Sequence, residues 1–139
     1  MITFADIGDD CTTAACTGTG EECVSNACTC KSGYTKSGSV CSGCEAGTYK
    51  PSSGEGACTE CGAGRYSEST AQTTENTCTD CGAGRYSTDA VGTSDTVCQN
   101  CCAGRYSTAA VGTSDTVCKN CVAGKSSSND RATKSDDCV

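Results

Sequence analysis

The feature that most constrains this sequence is a twenty-residue unit that occurs twice in almost identical form. Residues 81–98 read CGAGRYSTDAVGTSDTVC, and residues 101–118 read CCAGRYSTAAVGTSDTVC. The two copies differ only at Gly82/Cys102 and Asp89/Ala109, and each begins on the second cysteine of a C-x-x-C pair. A repeat of this length predicts an array of similar small modules.

The composition excludes a conventional apolar core. The chain has 139 residues, of which 17 are Cys and 17 are Gly, with one Phe, no Trp and no His. Small domains that lack large apolar residues are held together by disulfides or metal ions. Because disulfides persist in oxidising compartments, the cysteine content predicts an extracellular or cell-surface protein.

Charge and hydropathy restrict the partners. A formal net charge of -7 argues against nucleic acid and anionic membranes, which select basic surfaces. No apolar run is long enough to span a membrane. The start at Met1 lacks the basic and apolar regions of a signal peptide, so a secreted form is expected to be a mature chain or a fragment of a longer precursor.

The first ten residues form a short lead whose apolar side chains are Ile2, Phe4 and Ile7. Their alternation with polar or small residues favours a short strand. The strand either folds back on the first domain or adds to a sheet edge of a neighbouring molecule, which would make these residues candidates for assembly.

Residues 11–41 contain six cysteines, for which fifteen pairings exist. The run Cys28-Thr29-Cys30 with Gly33-Tyr34 and the closing Cys41 resembles the signature of an EGF-like domain. That resemblance implies a C-terminal hairpin around Gly33-Tyr34. It also implies the disulfides Cys11–Cys23, Cys16–Cys28 and Cys30–Cys41.

Acidic residues precede the first cysteine, as in EGF-like domains that bind calcium. The candidate ligands are Asp6, Asp9 and Asp10, whose carboxylates suit calcium. The spacing before Cys11 is one residue longer than in that family, and Asn26 lies in a loop too short for its second ligand motif. A solvated acidic lead is therefore favoured over a metal site, and no cofactor is predicted.

Residues 41–138 form the repeat array. After each C-x-x-C come Ala-Gly, a basic residue in four of the five repeats, and a tyrosine in the first four. This pattern resembles the ephrin-receptor-like cysteine-rich repeat and, more loosely, the repeats of tumour-necrosis-factor receptors. The predicted domains are a lead at 1–10, an EGF-like domain at 11–41, and repeats 1 to 5 at 41–61, 61–81, 81–101, 101–121 and 121–139.

The predicted fold class is small, disulfide-rich and mainly β, with tandem short hairpins forming an elongated rod and little or no helix. Ala-Gly-Arg-Tyr-Ser reads as one strand and Ser-Asp-Thr-Val-Cys as its return strand, with Gly92 and Gly112 in a turn that needs positive φ. Such an array is expected to contact only neighbouring repeats. Pairing the cysteines that enclose each loop gives Cys44–Cys58, Cys61–Cys78, Cys81–Cys98, Cys101–Cys118 and Cys121–Cys138.

The basic residues Arg65, Arg85, Arg105 and Lys125 recur at one position of the repeat. They are predicted either to form exposed ion pairs with acids at the joints, such as Glu60 and Asp80, or to contact the acidic surface of a partner, for which another copy of this chain is one candidate.

Eight disulfides leave one cysteine, and the pattern singles out Cys102, because its counterparts are Glu45, Gly62, Gly82 and Val122. A free or modified thiol is favoured, with an intermolecular cross-link and exchange with Cys101 as alternatives.

Other chemistries find little support. Zinc would need pairs of C-x-x-C motifs, and five pairs cannot be divided into complete sites. No constellation for catalysis is present, so the chain is not predicted to be an enzyme. Serine and threonine are abundant in the loops, for example Thr93-Ser94 and Thr113-Ser114, which leaves O-linked glycosylation and plain hydrophilic loops as two open interpretations.

The preferred function is that of an extracellular structural or adhesive protein, a subunit of a fibre or matrix that contains copies of itself or other extracellular proteins. The alternative is a fragment of a cell-surface receptor ectodomain that binds a protein ligand.

Overall fold

The computed structural model of the protein describes residues 16–127 and 131–135. These form two compact units, one made of 16–60 and 69–77, the other of 61–68, 78–127 and 131–135. The fold is small, disulfide-rich and mainly β, as the sequence predicts. The strands are β1 (Glu21–Val24), β2 (Ala27–Cys30), β3 (Tyr34–Ser37), β4 (Val40–Gly43), β5 (Thr48–Tyr49), β6 (Thr59–Glu60), β7 (Arg65–Tyr66), β8 (Thr79–Asp80), β9 (Arg85–Tyr86), β10 (Gln99–Asn100), β11 (Arg105–Tyr106) and β12 (Lys119–Asn120).

Consecutive strands pair into six antiparallel two-stranded hairpins. An isolated hairpin of this size is marginal in water, so the cysteines supply the stability that a core would give. Most of the buried apolar residues in the described part of the chain are half-cystines, such as Cys30 and Cys81. The structure contains the disulfides Cys16–Cys28, Cys30–Cys41, Cys44–Cys58, Cys61–Cys78, Cys81–Cys98 and Cys101–Cys118.

Two predicted disulfides lie partly outside the described residues. Cys23 and Cys121 are both disulfide-bonded. The partners assigned to them by the sequence, Cys11 and Cys138, are outside the described ranges.

The expected return strand of each repeat was placed too early in the sequence. Residues Asp95–Val97 form a short 3-10 turn, in which the Cys98 amide donates to the Asp95 carbonyl at 3.0 Å. The pairing residues come after the disulfide: Gln99 pairs with Tyr86 and Asn100 with Arg85. The two residues inside each C-x-x-C therefore form the return strand, and the motif is part of the hairpin as well as a joint.

The loop glycines also differ from expectation. Gly92 and Gly112 do not have a positive φ, contrary to the prediction. They are needed because the loop passes close to the preceding repeat: a Cβ on Gly92 would lie 2.5 Å from the Arg65 carbonyl oxygen, and one on Gly112 would lie 2.5 Å from that of Arg85.

The expectation that repeats touch only their neighbours was wrong within the second unit. Gly64 of repeat 2 has φ +82°, and a Cβ placed on it would lie 2.8 Å from both the Gly112 carbonyl oxygen and the Val111 Cγ1 of repeat 4. A Cβ on Gly84 of repeat 3 would likewise lie 3.0 Å from the Ala132 carbonyl oxygen of repeat 5. Each of these loops is long enough to reach past the adjacent repeat, so packing extends two repeats along the array.

The hairpin enclosed by Cys30–Cys41 is built like a repeat. Gly33 has φ +78° and accepts a hydrogen bond from the Cys44 amide at 2.8 Å. Gly64 and Gly84 do the same for Cys81 and Cys101, at 2.9 and 2.8 Å. The segment that the sequence assigns to the end of an EGF-like domain thus shares its backbone pattern with the array.

Candidate functional site

The site that recurs along the chain is the seam between successive repeats. In repeats 1 to 4, the residue after the tyrosine donates its backbone N–H to a carbonyl in the loop of the next repeat. In the first unit, Lys50 donates to Gln72 at 2.9 Å. In the second unit the same bond joins Ser67 to Gly92 at 2.9 Å, Ser87 to Gly112 at 2.9 Å, and Ser107 to Ala132 at 3.1 Å.

These bonds place a loop segment along the edge of four hairpins, β5–β6, β7–β8, β9–β10 and β11–β12. Isolated parallel bridges join Tyr66 to Gly92 and Tyr106 to Ala132. An exposed edge of a two-stranded sheet would otherwise leave backbone N–H and C=O groups without protein partners. The loop of each repeat therefore completes the hairpin of the repeat before it.

Serine is suited to the seam because its side chain also stabilises its own repeat. Ser87 and Ser107 are fully buried, and their hydroxyl oxygens accept hydrogen bonds from the amides of Asp89 and Ala109 at 3.2 Å. A hydroxyl that bonds an amide two residues ahead fixes a tight turn. The serine row was not singled out from the sequence, although its position after the tyrosine in repeats 2, 3 and 4 was a usable signal.

Arg85 holds the loop of its own repeat. Its guanidinium donates to both carboxylate oxygens of Asp95, at 2.6 and 2.9 Å, and to the carbonyls of Asp95 and Cys98, at 2.9 and 3.0 Å. The Arg85 side chain is only 11% exposed, whereas that of Asp95 is 55% exposed. A two-point contact of this kind is stronger and more specific than a single ion pair.

The arrangement changes the ionisation of both groups. The hydrogen bond from Arg85 lowers the pKa of Asp95, with smaller contributions from the charge of Arg131 and from Tyr66. The same hydrogen bond raises the pKa of Arg85. Both shifts favour the charged forms, so the pair is ionised throughout the neutral range.

The basic row is not uniform in the structure. Arg65 pairs with Asp80 at 3.1 Å, as the joint acids suggested, but Arg105 pairs with Asp115 at 3.9 Å rather than with a joint acid. Glu60, the other acid named from the sequence, lies in β6 and is exposed. Lys125 is exposed. Asp95 and Asp115 follow their arginines by ten residues in both copies of the unit, and this spacing could have identified them.

Repeat 1 replaces the buried serine with a lysine. Lys50 is 4% exposed, and its Nζ donates to the carbonyl of Tyr34 at 2.6 Å and also to that of Gly54. Burial lowers the pKa of Lys50. The loop of this repeat is three residues shorter than the others, and the long side chain joins the Gly54 carbonyl of this loop to the Tyr34 carbonyl of β3.

Cys102 is a free and exposed cysteine. It begins the turn that ends at Arg105, whose amide donates to the Cys102 carbonyl at 3.1 Å. The remaining candidates, Ile2, Phe4 and Ile7 for assembly and Asp6, Asp9 and Asp10 for calcium, lie outside the described residues.

The comparison with known families agrees with the shared backbone pattern. Residues 32–74 match the family model of the tyrosine-protein kinase ephrin type A/B receptor-like domain. The matched segment begins in the hairpin of β3 and β4 and ends in the loop of repeat 2. No curated protein matches the chain.

Residues 32–74 are thus similar to an ephrin receptor-like cysteine-rich domain, and this similarity suggests an extracellular module of the receptor type. Its disulfides are likewise typical of extracellular proteins. Within the described ranges, no helix has the length and apolar character that crossing a membrane requires.

Proposed function

We propose that the chain is an extracellular structural or adhesive protein that assembles with copies of itself into a fibre or matrix. The observation that carries this proposal is the seam hydrogen bond, which recurs at Ser67, Ser87 and Ser107 with distances of 2.9 to 3.1 Å. Through this bond, the loops of repeats 3, 4 and 5 each bind the repeat that precedes them. Loops used in this way favour a mechanical spacer over a set of ligand-binding loops.

The similarity of repeats 3 and 4 supports the same conclusion. Their matched loops differ at only two positions, one of which is Cys102. A site for a single protein ligand depends on a distinct cluster of anchoring residues, whereas a spacer needs only a regular backbone.

Negative-stain electron microscopy of the unreduced full chain tests this proposal. We expect long regular fibres at high protein concentration. A Cys102→Ser variant tests whether assembly needs the free thiol. The native chain after mild reduction tests whether assembly needs the disulfides. Isolated particles at every concentration would contradict the proposal.

The second candidate function is a receptor ectodomain fragment that binds a protein ligand, and the match of residues 32–74 favours it. Under this alternative the chain stays monomeric, and a protein partner is captured at a single repeat.

The proposal further includes an EGF-like head at 11–41, a relation to tumour-necrosis-factor-receptor repeats, and O-linked sugars on the loops. Intact mass measurement of the secreted protein, before and after glycosidase treatment, checks the sugars.

A further inference from the structure

The loop of repeat 1 departs from the pattern of the later loops. Repeats 2, 3 and 4 each contain a 3-10 turn before the closing cysteine, whereas no such turn lies within residues 51–57. The loop also contains the only proline of the chain, Pro51, which is followed by Ser52 and Ser53. A surface segment that combines serine with proline is typical of O-glycosylated chains.

The two serines are accessible in the structure. Pro51, Ser52 and Ser53 are all exposed, and so are residues 55–57. Neither serine hydroxyl has a hydrogen-bond partner among the residues that the structure describes. Proline restricts the backbone, and exposed loops of small and polar residues are the places where modifying enzymes reach a folded chain.

The loop is fixed at its base, beside the serines. The Gly54 amide donates to the Cys30 carbonyl at 2.7 Å, and the Gly54 carbonyl accepts from the ammonium of Lys50. Ser53 lines a groove of about 350 Å³ together with residues of β1 and β2. The groove leaves room for a bulky substituent beside the Ser53 side chain.

The hydroxyls that the sequence suggested in repeat 3 are less suitable as acceptors. Ser94 is half-buried, and its Oγ lies 2.6 Å from the Thr96 Oγ1. Thr93 is exposed, but it lies between Ser94 and the buried Gly92, whose carbonyl is bound in the seam. The corresponding residues of repeat 4 have the same contact and the same burial.

We propose that the pair Ser52-Ser53 is an acceptor site for an O-linked sugar. This inference rests on the extracellular part of the proposed function and narrows its sugars to one loop. In the transfer, a serine Oγ attacks the anomeric carbon of a sugar carried by a nucleoside diphosphate. The new carbon–oxygen bond replaces the bond from that carbon to the phosphate. The nucleoside diphosphate leaves, and the hydroxyl proton passes to a base of the glycosyltransferase.

Mass spectrometry of the secreted full-length chain tests the site. Cleavage after glutamate releases residues 46–55 as one peptide. This peptide is expected to carry the mass of at least one monosaccharide, and fragmentation should place it on Ser52 or Ser53. The other hydroxyl residue of the peptide outside the tyrosine, Thr48, donates to the Glu45 carbonyl at 2.8 Å and should be unmodified. A peptide of unmodified mass, or a sugar on Thr48 alone, would overturn the inference.

A matched pair of double variants adds a second readout. Ser52→Ala/Ser53→Ala should abolish the sugar mass on residues 46–55, and the variant should still be secreted with its disulfides intact, because the two hydroxyls bind no described residue. Ser69→Ala/Thr70→Ala changes two consecutive exposed residues in a loop that lacks proline. The peptide 46–55 of this control should keep its full sugar mass, and an equal loss in both variants would contradict the assigned site.

The outcomes separate this inference from the proposed function. If the secreted chain forms fibres while residues 46–55 are unmodified, the inference fails and the proposed function stands. If the serine pair carries a sugar while the chain remains as isolated particles, the inference stands and the fibre proposal fails.

Discussion

The guanidinium of Arg85 donates two hydrogen bonds, of 2.6 and 2.9 Å, to the carboxylate of Asp95. The Arg85 side chain is almost fully buried. In the next repeat, the same two residue types lie farther apart, with 3.9 Å between Arg105 and Asp115. The two repeats have nearly the same sequence, so they form a natural matched pair for measuring what burial adds to an ion pair.

Arg85→Lys should destabilise the protein by about 2 kcal/mol, because lysine cannot make the two-point contact and leaves buried acceptors without donors. Arg105→Lys should cost less than about 1 kcal/mol, as is usual for a looser and more exposed pair. Urea unfolding under non-reducing conditions measures both. Equal losses from the two variants would contradict the role assigned to burial.

The lowered pKa of Asp95 predicts a loss of stability in acid. The unfolded chain binds a proton at this carboxylate at a higher pH than the folded chain does, so the stabilising contribution is complete above the usual aspartate pKa of about 3.9 and is lost as pH falls through the lower folded value. Unfolding measured from pH 5 to pH 2 should therefore decline less steeply in Asp95→Asn than in the parent. A decline as steep in Asp95→Asn as in the parent would contradict this assignment.

The lowered pKa of Lys50 predicts a gain of stability in alkali. Burial disfavours its charged form in the folded state, so its folded pKa lies below the usual lysine value. Stability should rise with pH through the range between the lowered pKa and about 10.4, because the unfolded chain there binds more protons. Lys50→Met should remove this rise, and Lys31→Met, at an exposed lysine, should retain it. A Cys102→Ser background prevents disulfide exchange at high pH.

The packing of repeat 2 against repeat 4 predicts unequal costs for three equivalent glycines. Gly104→Ala should cost about 1 to 2 kcal/mol, from positive φ alone. Gly64→Ala and Gly84→Ala should each cost more, because the added Cβ would also meet a carbonyl oxygen at 2.8 or 3.0 Å. Thermal unfolding of the three variants checks this order, and three equal values would show that contacts two repeats apart carry no energy.

The repeat unit and the cysteine content were sufficient to predict the fold class. They failed where the chain departs from a simple hairpin. Asp95 to Val97 alternates like a strand, yet these residues form a 3-10 turn, in which the Asp95 carbonyl accepts from both the Cys98 amide and the Arg85 guanidinium. The role of Gly64 depends on a residue 47 positions away, Val111, and no local pattern reports such a contact.

The candidate site was predictable only in part. The arginine row was visible from the repeat, but its burial at Arg85 depends on how the loop folds over it. The serines after the tyrosines were predicted only as the last residues of the strand Ala-Gly-Arg-Tyr-Ser. The structure adds the two hydrogen bonds of Ser87, one to Gly112 and one from Asp89.

Hydrogen exchange at the amide of Ser87 tests the seam most directly. The account predicts that this amide and that of Ser107 exchange slowly in the unreduced protein, because opening them requires the next repeat to detach. Exposed loop amides, such as that of Thr93, should exchange quickly. If the Ser87 amide exchanged as fast as the Thr93 amide, this result would contradict the hydrogen bonding between successive repeats and remove the main support for a structural role.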